Sequence, residues 1–118
     1  MTNVQTRTTP STGHDLRGWD IGAVAAKEWS PWGSRGDARA KVLATGDGYY
    51  LALVEAQPGY SGDPHEHGFA EMLYVLSGTL HTQGVEMGPG DAYVATAGSV
   101  HTDFATDGGA TYLSVFKL

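Results

Sequence analysis

Cysteine is absent from this 118-residue chain. That excludes a disulfide framework and any thiolate-ligated metal site. It also fits a reducing compartment, so a cytoplasmic location is expected. Positive charge is scarce: 7 lysines and arginines stand against 13 acidic residues, for a formal net charge of -6. With no basic stripe to neutralise phosphates, neither nucleic acid nor an anionic membrane surface is an expected partner. No apolar run approaches membrane-spanning length. The first thirteen residues are polar and threonine-rich, without the apolar core of a secretory signal. A long helical periodicity is missing as well.

What remains is rich in turns. Seventeen glycines and five prolines punctuate a chain that is 41% apolar, as in a folded β domain. The length suits one domain. Residues 1–18 read as a loose N-terminal arm, and 19–118 as a single domain. His14, within the arm, reads as a solvated histidine. Trp19, Trp29 and Trp32 fall in one stretch and call for burial, over one mouth of the domain or against a second subunit. Asp20 can cap a short helix through Lys27, or the stretch can be an edge strand; the pattern admits both.

Short strands follow. Ala38 to Thr45 is one, turned by Gly46-Asp47-Gly48. Tyr49 to Ala56 is the clearest, with apolar side chains on both faces, so cover is expected on both sides. Glu71 to Leu76 continues into a Ser77-Gly78 turn and an expected hairpin. Thr79 to Gln83 and Val85 to Met87 form a small hairpin about Gly84. Asp91 to Thr96, Val100 to Ala105 and Ala110 to Lys117 complete a set of eight or nine strands. Such a series favours a sandwich or barrel.

One stretch carries chemistry. In Gly59-Tyr60-Ser61-Gly62-Asp63-Pro64-His65-Glu66-His67-Gly68-Phe69-Ala70-Glu71, two imidazoles lie two residues apart. In an extended strand they share a face while Glu66 takes the other. Glu71 opens the next strand and can reach back. His101 arrives after its own glycine turn. Three imidazole nitrogens and a carboxylate suit a divalent first-row ion and can leave coordination positions open. A lone His-x-His is as well explained by surface histidines. The flanking glycines, and a glutamate four residues on, sharpen the signal.

At these residues the chain resembles the cupin superfamily. Gly59, His65, His67, Glu71 and Gly78 match every position of the first cupin motif, G-x5-H-x-H-x3,4-E-x6-G. Gly90, Gly98 and His101 match the second, with Thr96 where its proline stands and Ala105 where its asparagine stands. The resemblance implies an all-β, double-stranded β-helix (jelly-roll) barrel. It implies metal held by His65, His67, Glu71 and His101, with Fe2+ favoured over Mn2+, Ni2+, Co2+ or Zn2+. It further implies a homodimer, commonly made by N-terminal segments.

Period-two geometry extends the expected site. Leu73 and Val75 share the face of Glu71, and Asp103 follows His101 as a general base, an acceptor for an imidazole N–H, or a rim carboxylate. Tyr50, Tyr74, Tyr93 and Tyr112 can each offer a phenol; Tyr93, Glu71 and Asp103 are the candidate catalytic groups. Phe69 is expected at the pocket mouth and His81 in solvent. Arg39 and Lys41 are the central cations available to an anionic substrate, so a small neutral or aromatic oxygen-bearing molecule fits better. The resemblance to cupins implies three candidate functions: a metal-dependent dioxygenase first, a non-oxidative lyase, isomerase, decarboxylase or cyclase second, and a zinc-binding sensor third.

Overall fold

The computed structural model describes residues 13–118. The arm expected over 1–18 therefore falls largely outside the described residues. Eleven strands follow in order: β1 (Ser30–Trp32), β2 (Ala38–Gly46), β3 (Tyr49–Ala56), β4 (His65–Glu66), β5 (Glu71–Gly78), β6 (Leu80–Thr82), β7 (Val85–Met87), β8 (Ala92–Ala95), β9 (Val100–His101), β10 (Phe104–Ala105) and β11 (Ala110–Lys117). The one helical element among the described residues is a single 3-10 turn, Val24–Ala26. No helix among them is long and apolar enough to cross a membrane.

The strands form a jelly roll. A six-stranded sheet has the order β1-β2-β3-β11-β5-β8; opposite it lie β10-β6-β7 and the short β4-β9 pair. Every strand pairing is antiparallel. Local chemistry sets the tight turns. Asp47 and Gly48 both have positive φ (54° and 82°), as do Gln83 and Gly84 (50° and 77°). Two successive left-handed residues twist in the sense that suits a two-residue hairpin, so β2–β3 and β6–β7 close there.

The core lies between the layers. Ala52 and Val54 of β3, Leu73 and Val75 of β5, Leu80 of β6 and Tyr112 of β11 are all buried. On β5 the alternation places Glu71, Leu73 and Val75 on one face, as the sequence predicts. Two expectations fail. β3 is covered on one side: Ala52, Val54 and Ala56 are buried, but Tyr49 is exposed and Leu51 and Leu53 only half-buried. β5 does not turn back into a hairpin. Its partners are β11 and β8, and the chain crosses at Gly78 to the other sheet, as closing a barrel requires. Asp20 caps no helix; its Oδ2 accepts the Thr45 N–H at 2.8 Å, fastening residues 19–32 along β2. Trp29 and Trp32 are half-buried, while Trp19 is 70% exposed.

Candidate metal centre

Two converging ladders build the site. The loop at 57–62 runs against 104–106 through Gly59 N to Thr106 O (2.9 Å), Gly62 N to Phe104 O (2.8 Å) and Thr106 N to Tyr60 O (2.9 Å). Further along, β4 and β9 place His65 opposite His101. The pairing continues through His67 N to Ser99 O (2.9 Å) and Gly98 N to His67 O (2.8 Å). His67 and His65 therefore project inward beside His101, while Glu66 is exposed. Glu71 enters from the other sheet, at the start of β5.

The result is one cluster. One ligand atom from each of His65, His67, Glu71 and His101 lies within 4.8 Å of the others. An ion with bonds of about 2.1 Å holds its ligands at most about 4.2 Å apart, so tenths of an ångström separate this arrangement from a coordinated one. His67 and His101 are buried (8% and 6% exposed), Glu71 is half-buried and His65 faces the opening.

Hydrogen bonds determine which lone pairs face inward. His65 Nδ1 lies 3.0 Å from the Asp63 carbonyl, which can only accept, so Nδ1 carries the proton and donates. The Ser99 hydroxyl donates to Thr96 O at 2.6 Å, leaving its oxygen to accept from His67 Nδ1 at 3.1 Å. The lone pair of neutral His67 then sits on Nε2, 2.8 Å from Glu71 Oε1. Two acceptors at that distance repel unless a proton or a cation lies between them. Ser114 Oγ steadies the other Glu71 oxygen at 3.3 Å. His101 Nε2 meets Thr82 Oγ1 at 2.8 Å, and its buried Nδ1 has no hydrogen-bond partner. The donor set, the facing acceptors and the orphaned nitrogen fit a divalent cation.

Electrostatics agree in direction. Burial holds the His101 imidazole below its ordinary range; the charge of Glu71 opposes this and those of His65 and His67 reinforce it. Neutral imidazole is the form a metal needs. Tyr93 stands opposite Leu73 on β8, two positions along from Glu71, and so faces inward. Its buried hydroxyl has no partner at hydrogen-bonding geometry. Burial first, and the Glu71 carboxylate second, hold this phenol well above its ordinary range, so it remains protonated.

Cavities lie on both sides of the cluster. The larger, about 680 Å³, is bounded by His67, Thr82, Met87, Tyr93, Ser99 and His101 among others. The smaller, about 230 Å³, has an aromatic wall of Tyr60, Tyr93, Phe104 and Tyr112 beside His65, Glu71 and His101. Neither is lined by a lysine or arginine.

Several expected members lie elsewhere. Asp103 does not follow His101 inward, because the strand breaks after His101 and resumes at Phe104. Its exposed carboxylate instead accepts the Gly84 N–H at 3.2 Å, and it lines neither cavity. Tyr74 is 46% exposed on the outer sheet face, and Tyr50 stacks on Phe116. Phe69 lies under the Lys117 ammonium rather than at a pocket mouth. Arg39 pairs with Glu55 at 2.8 Å and covers Trp29, while Lys41 reaches Val24 O. His81 is half-buried, 3.8 Å from Asp107. Sequence reasoning missed Tyr60, Ser99, Thr82 and Ser114. Only Tyr60, inside the motif, carried a local signal; the others acquire their roles through pairings distant in the chain.

A jelly roll holding three inward histidines and a glutamate between its sheets defines a cupin. The chain belongs, more narrowly, to the ChrR cupin-like domain family, whose model matches residues 20–117. No curated protein matches it. Solved structures share the fold. A provisionally assigned acetylacetone dioxygenase from Methylibium petroleiphilum superposes with a TM-score of 0.75 at 15% identity, covering 92% of this chain and 80% of that one. The polyketide cyclase RemF from Streptomyces resistomycificus gives 0.72 at 24%, over 83% and 78%. Anti-sigma ChrR, in complex with SigE of Rhodobacter sphaeroides, gives 0.67 at 25%; the match covers 80% of this chain but 51% of ChrR.

Proposed function

We propose that this protein is a metal-dependent enzyme, a dioxygenase, acting on a small neutral or aromatic molecule with adjacent oxygen atoms. The observation that carries the reading is the convergence of His65, His67, Glu71 and His101, with one ligand atom from each within 4.8 Å of the others, beside a cavity lined by no lysine or arginine. His65, His67, Glu71 and His101 would hold the ion, which when bound polarises substrate oxygens and, as iron, exchanges electrons with dioxygen. The chain's own residues do the rest. Ser99 and the Asp63 carbonyl orient two imidazoles. Met87 and Tyr93 supply apolar wall that excludes water and favours an uncharged substrate body.

A second reading, non-oxidative proton transfer, is favoured by one observation. The protonated Tyr93 hydroxyl is buried and unpartnered near Glu71, where it can donate to a developing oxyanion. One experiment separates the readings. The protein is purified, its native metal measured, and the apoprotein reloaded anaerobically with Fe2+, Mn2+, Ni2+, Co2+ or Zn2+. Oxygen uptake with β-diketones, enols or phenolic ketones supports the dioxygenase. Turnover without oxygen supports the second reading. Tight metal with no turnover on any of these argues for a sensor. His101→Ala should lose most metal occupancy; full retention refutes the ligand set.

A further inference from the structure

The tip of the β6–β7 hairpin breaks a local rule. Its turn residues, Gln83 and Gly84, both have positive φ (50° and 77°). Glycine adopts that backbone freely. Glutamine adopts it at a cost, and asparagine or aspartate is the side chain ordinarily found there. The matching turn between β2 and β3 follows the rule with Asp47 (φ 54°). What Gln83 supplies instead is reach. Its Oε1 lies 2.7 Å from Thr102 N, 3.0 Å from Asp103 N and 3.1 Å from Thr102 Oγ1. Backbone N–H groups only donate, so the atom they meet is the carboxamide oxygen. Thr102 and Asp103 are the two residues between β9 and β10, directly after the ligand His101.

The grip is reciprocal. Gln83 N–H donates to Asp103 O at 3.0 Å, and Gly84 N–H donates to Asp103 Oδ2 at 3.2 Å. One residue back, Thr82 Oγ1 meets His101 Nε2 at 2.8 Å. Residues 82–84 therefore hold residues 101–103. Phe104 then resumes the strand and sets its ring edge-on to the His101 imidazole, with centroids 5.1 Å apart.

We infer that Gln83 is a positioning residue for His101, a role that presupposes the metal centre proposed above. Its Oε1 takes the place of a strand partner for two successive N–H groups, and so fixes the bend that aims the His101 ring. Water can satisfy these exposed amides once the carboxamide is gone, but water does not fix the bend. The loss should therefore fall on metal affinity rather than on the fold. His65 and His67 have their own orienting contacts, to the Asp63 carbonyl and the Ser99 hydroxyl, and do not depend on Gln83.

Chelator competition with Co2+, together with the visible absorption spectrum of the Co2+ protein, tests this in Gln83→Glu, Gln83→Asn and Gln83→Gly. Glutamate keeps an acceptor oxygen at the same reach, and should bind within about three-fold of the wild type with the wild-type spectrum. Asparagine suits the turn better but is one methylene short; glycine relaxes the turn and offers no acceptor. Both should lose about ten-fold in affinity, the low end for a partner of a metal ligand, with shifted absorption bands and little change in thermal midpoint. A residue serving only its turn predicts the reverse order, with Asn and Gly equal to or better than Gln, and that order overturns the inference. Gln83→Glu as weak as Gln83→Gly overturns it too, as do affinities all within about two-fold. Asp47→Ala strains the other hairpin and should lower stability without moving affinity; an equal loss of affinity there refutes a specific role for Gln83. Amide hydrogen exchange of the metal-free protein follows the grip itself, and Thr102 and Asp103 should be slowed in the wild type and in Gln83→Glu but not in Gln83→Gly. A wild type that binds no Co2+ refutes the metal centre and this role together. Slowed amides beside unchanged affinities refute this role alone.

Discussion

Replacing Ser99 by alanine tests how the metal centre is oriented. The Ser99 hydroxyl is committed as a donor to Thr96 O, so it can only accept from His67 Nδ1, and the metal-facing lone pair falls on Nε2. Without that hydroxyl the buried Nδ1–H has no acceptor. The proton then relocates to Nε2, where Glu71 Oε1 waits at 2.8 Å. The metal must displace a proton held by a carboxylate and restore an imidazole tautomer whose outer N–H is unsatisfied. Losing the neutral hydrogen bond and leaving that donor buried together cost about 1.5–3 kcal/mol, or roughly 10- to 100-fold in affinity. Chelator competition with Co2+ or Zn2+ at fixed pH measures this directly. Ser99→Thr keeps a hydroxyl and should stay within several-fold of the wild type. Ser99→Ala binding within about two-fold of the wild type refutes the reasoning, as does equal weakening by Ser99→Thr.

Three further outcomes are expected. Metal-free protein should lose stability as pH falls through the ordinary imidazole range near ~6.5. The folded His101 titrates lower than the unfolded one, so in that window the unfolded state binds more protons. Urea unfolding across the window should show stability rising with pH, with a shallower slope in His101→Gln; the opposite slope contradicts the direction assigned to His101. Tyr93→Phe removes a buried, unpartnered hydroxyl, so stability should hold or rise by up to about 1 kcal/mol. Turnover should fall if the phenol serves as a donor, and unchanged turnover removes Tyr93 from the chemistry. Gly78→Ala would place a Cβ 2.2 Å from Gly109 O at a φ of +80°, against backbone that cannot yield. A loss of about 2–4 kcal/mol is expected in chemical denaturation, against about 1 kcal/mol for Gly84→Ala, whose Cβ meets open space.

The sequence by itself determined what short-range physics controls. Turn residues on their flanks, Gly46-Asp47-Gly48 before Tyr49 and Asp107-Gly108-Gly109 before Ala110, bounded two strands to the residue, because such segments interrupt an extended run. Asp47-Gly48 and Gln83-Gly84 specified hairpins, because few residues tolerate successive left-handed dihedrals. The spacing of His65 and His67 announced a shared inner face, because side chains alternate along a strand, with Glu71 opening the next strand and reaching back to them. Tertiary structure decided everything that depends on partners far along the chain. Asp103 left the site because the β9 ladder breaks after His101, and a two-residue strand cannot carry alternation beyond its own end. β5 paired with β11 and β8 rather than folding back, a choice between distant edges that no local pattern encodes. Ser99 and Thr82 became partners of imidazoles, because hydroxyls acquire direction only once the acceptors and donors around them are in place.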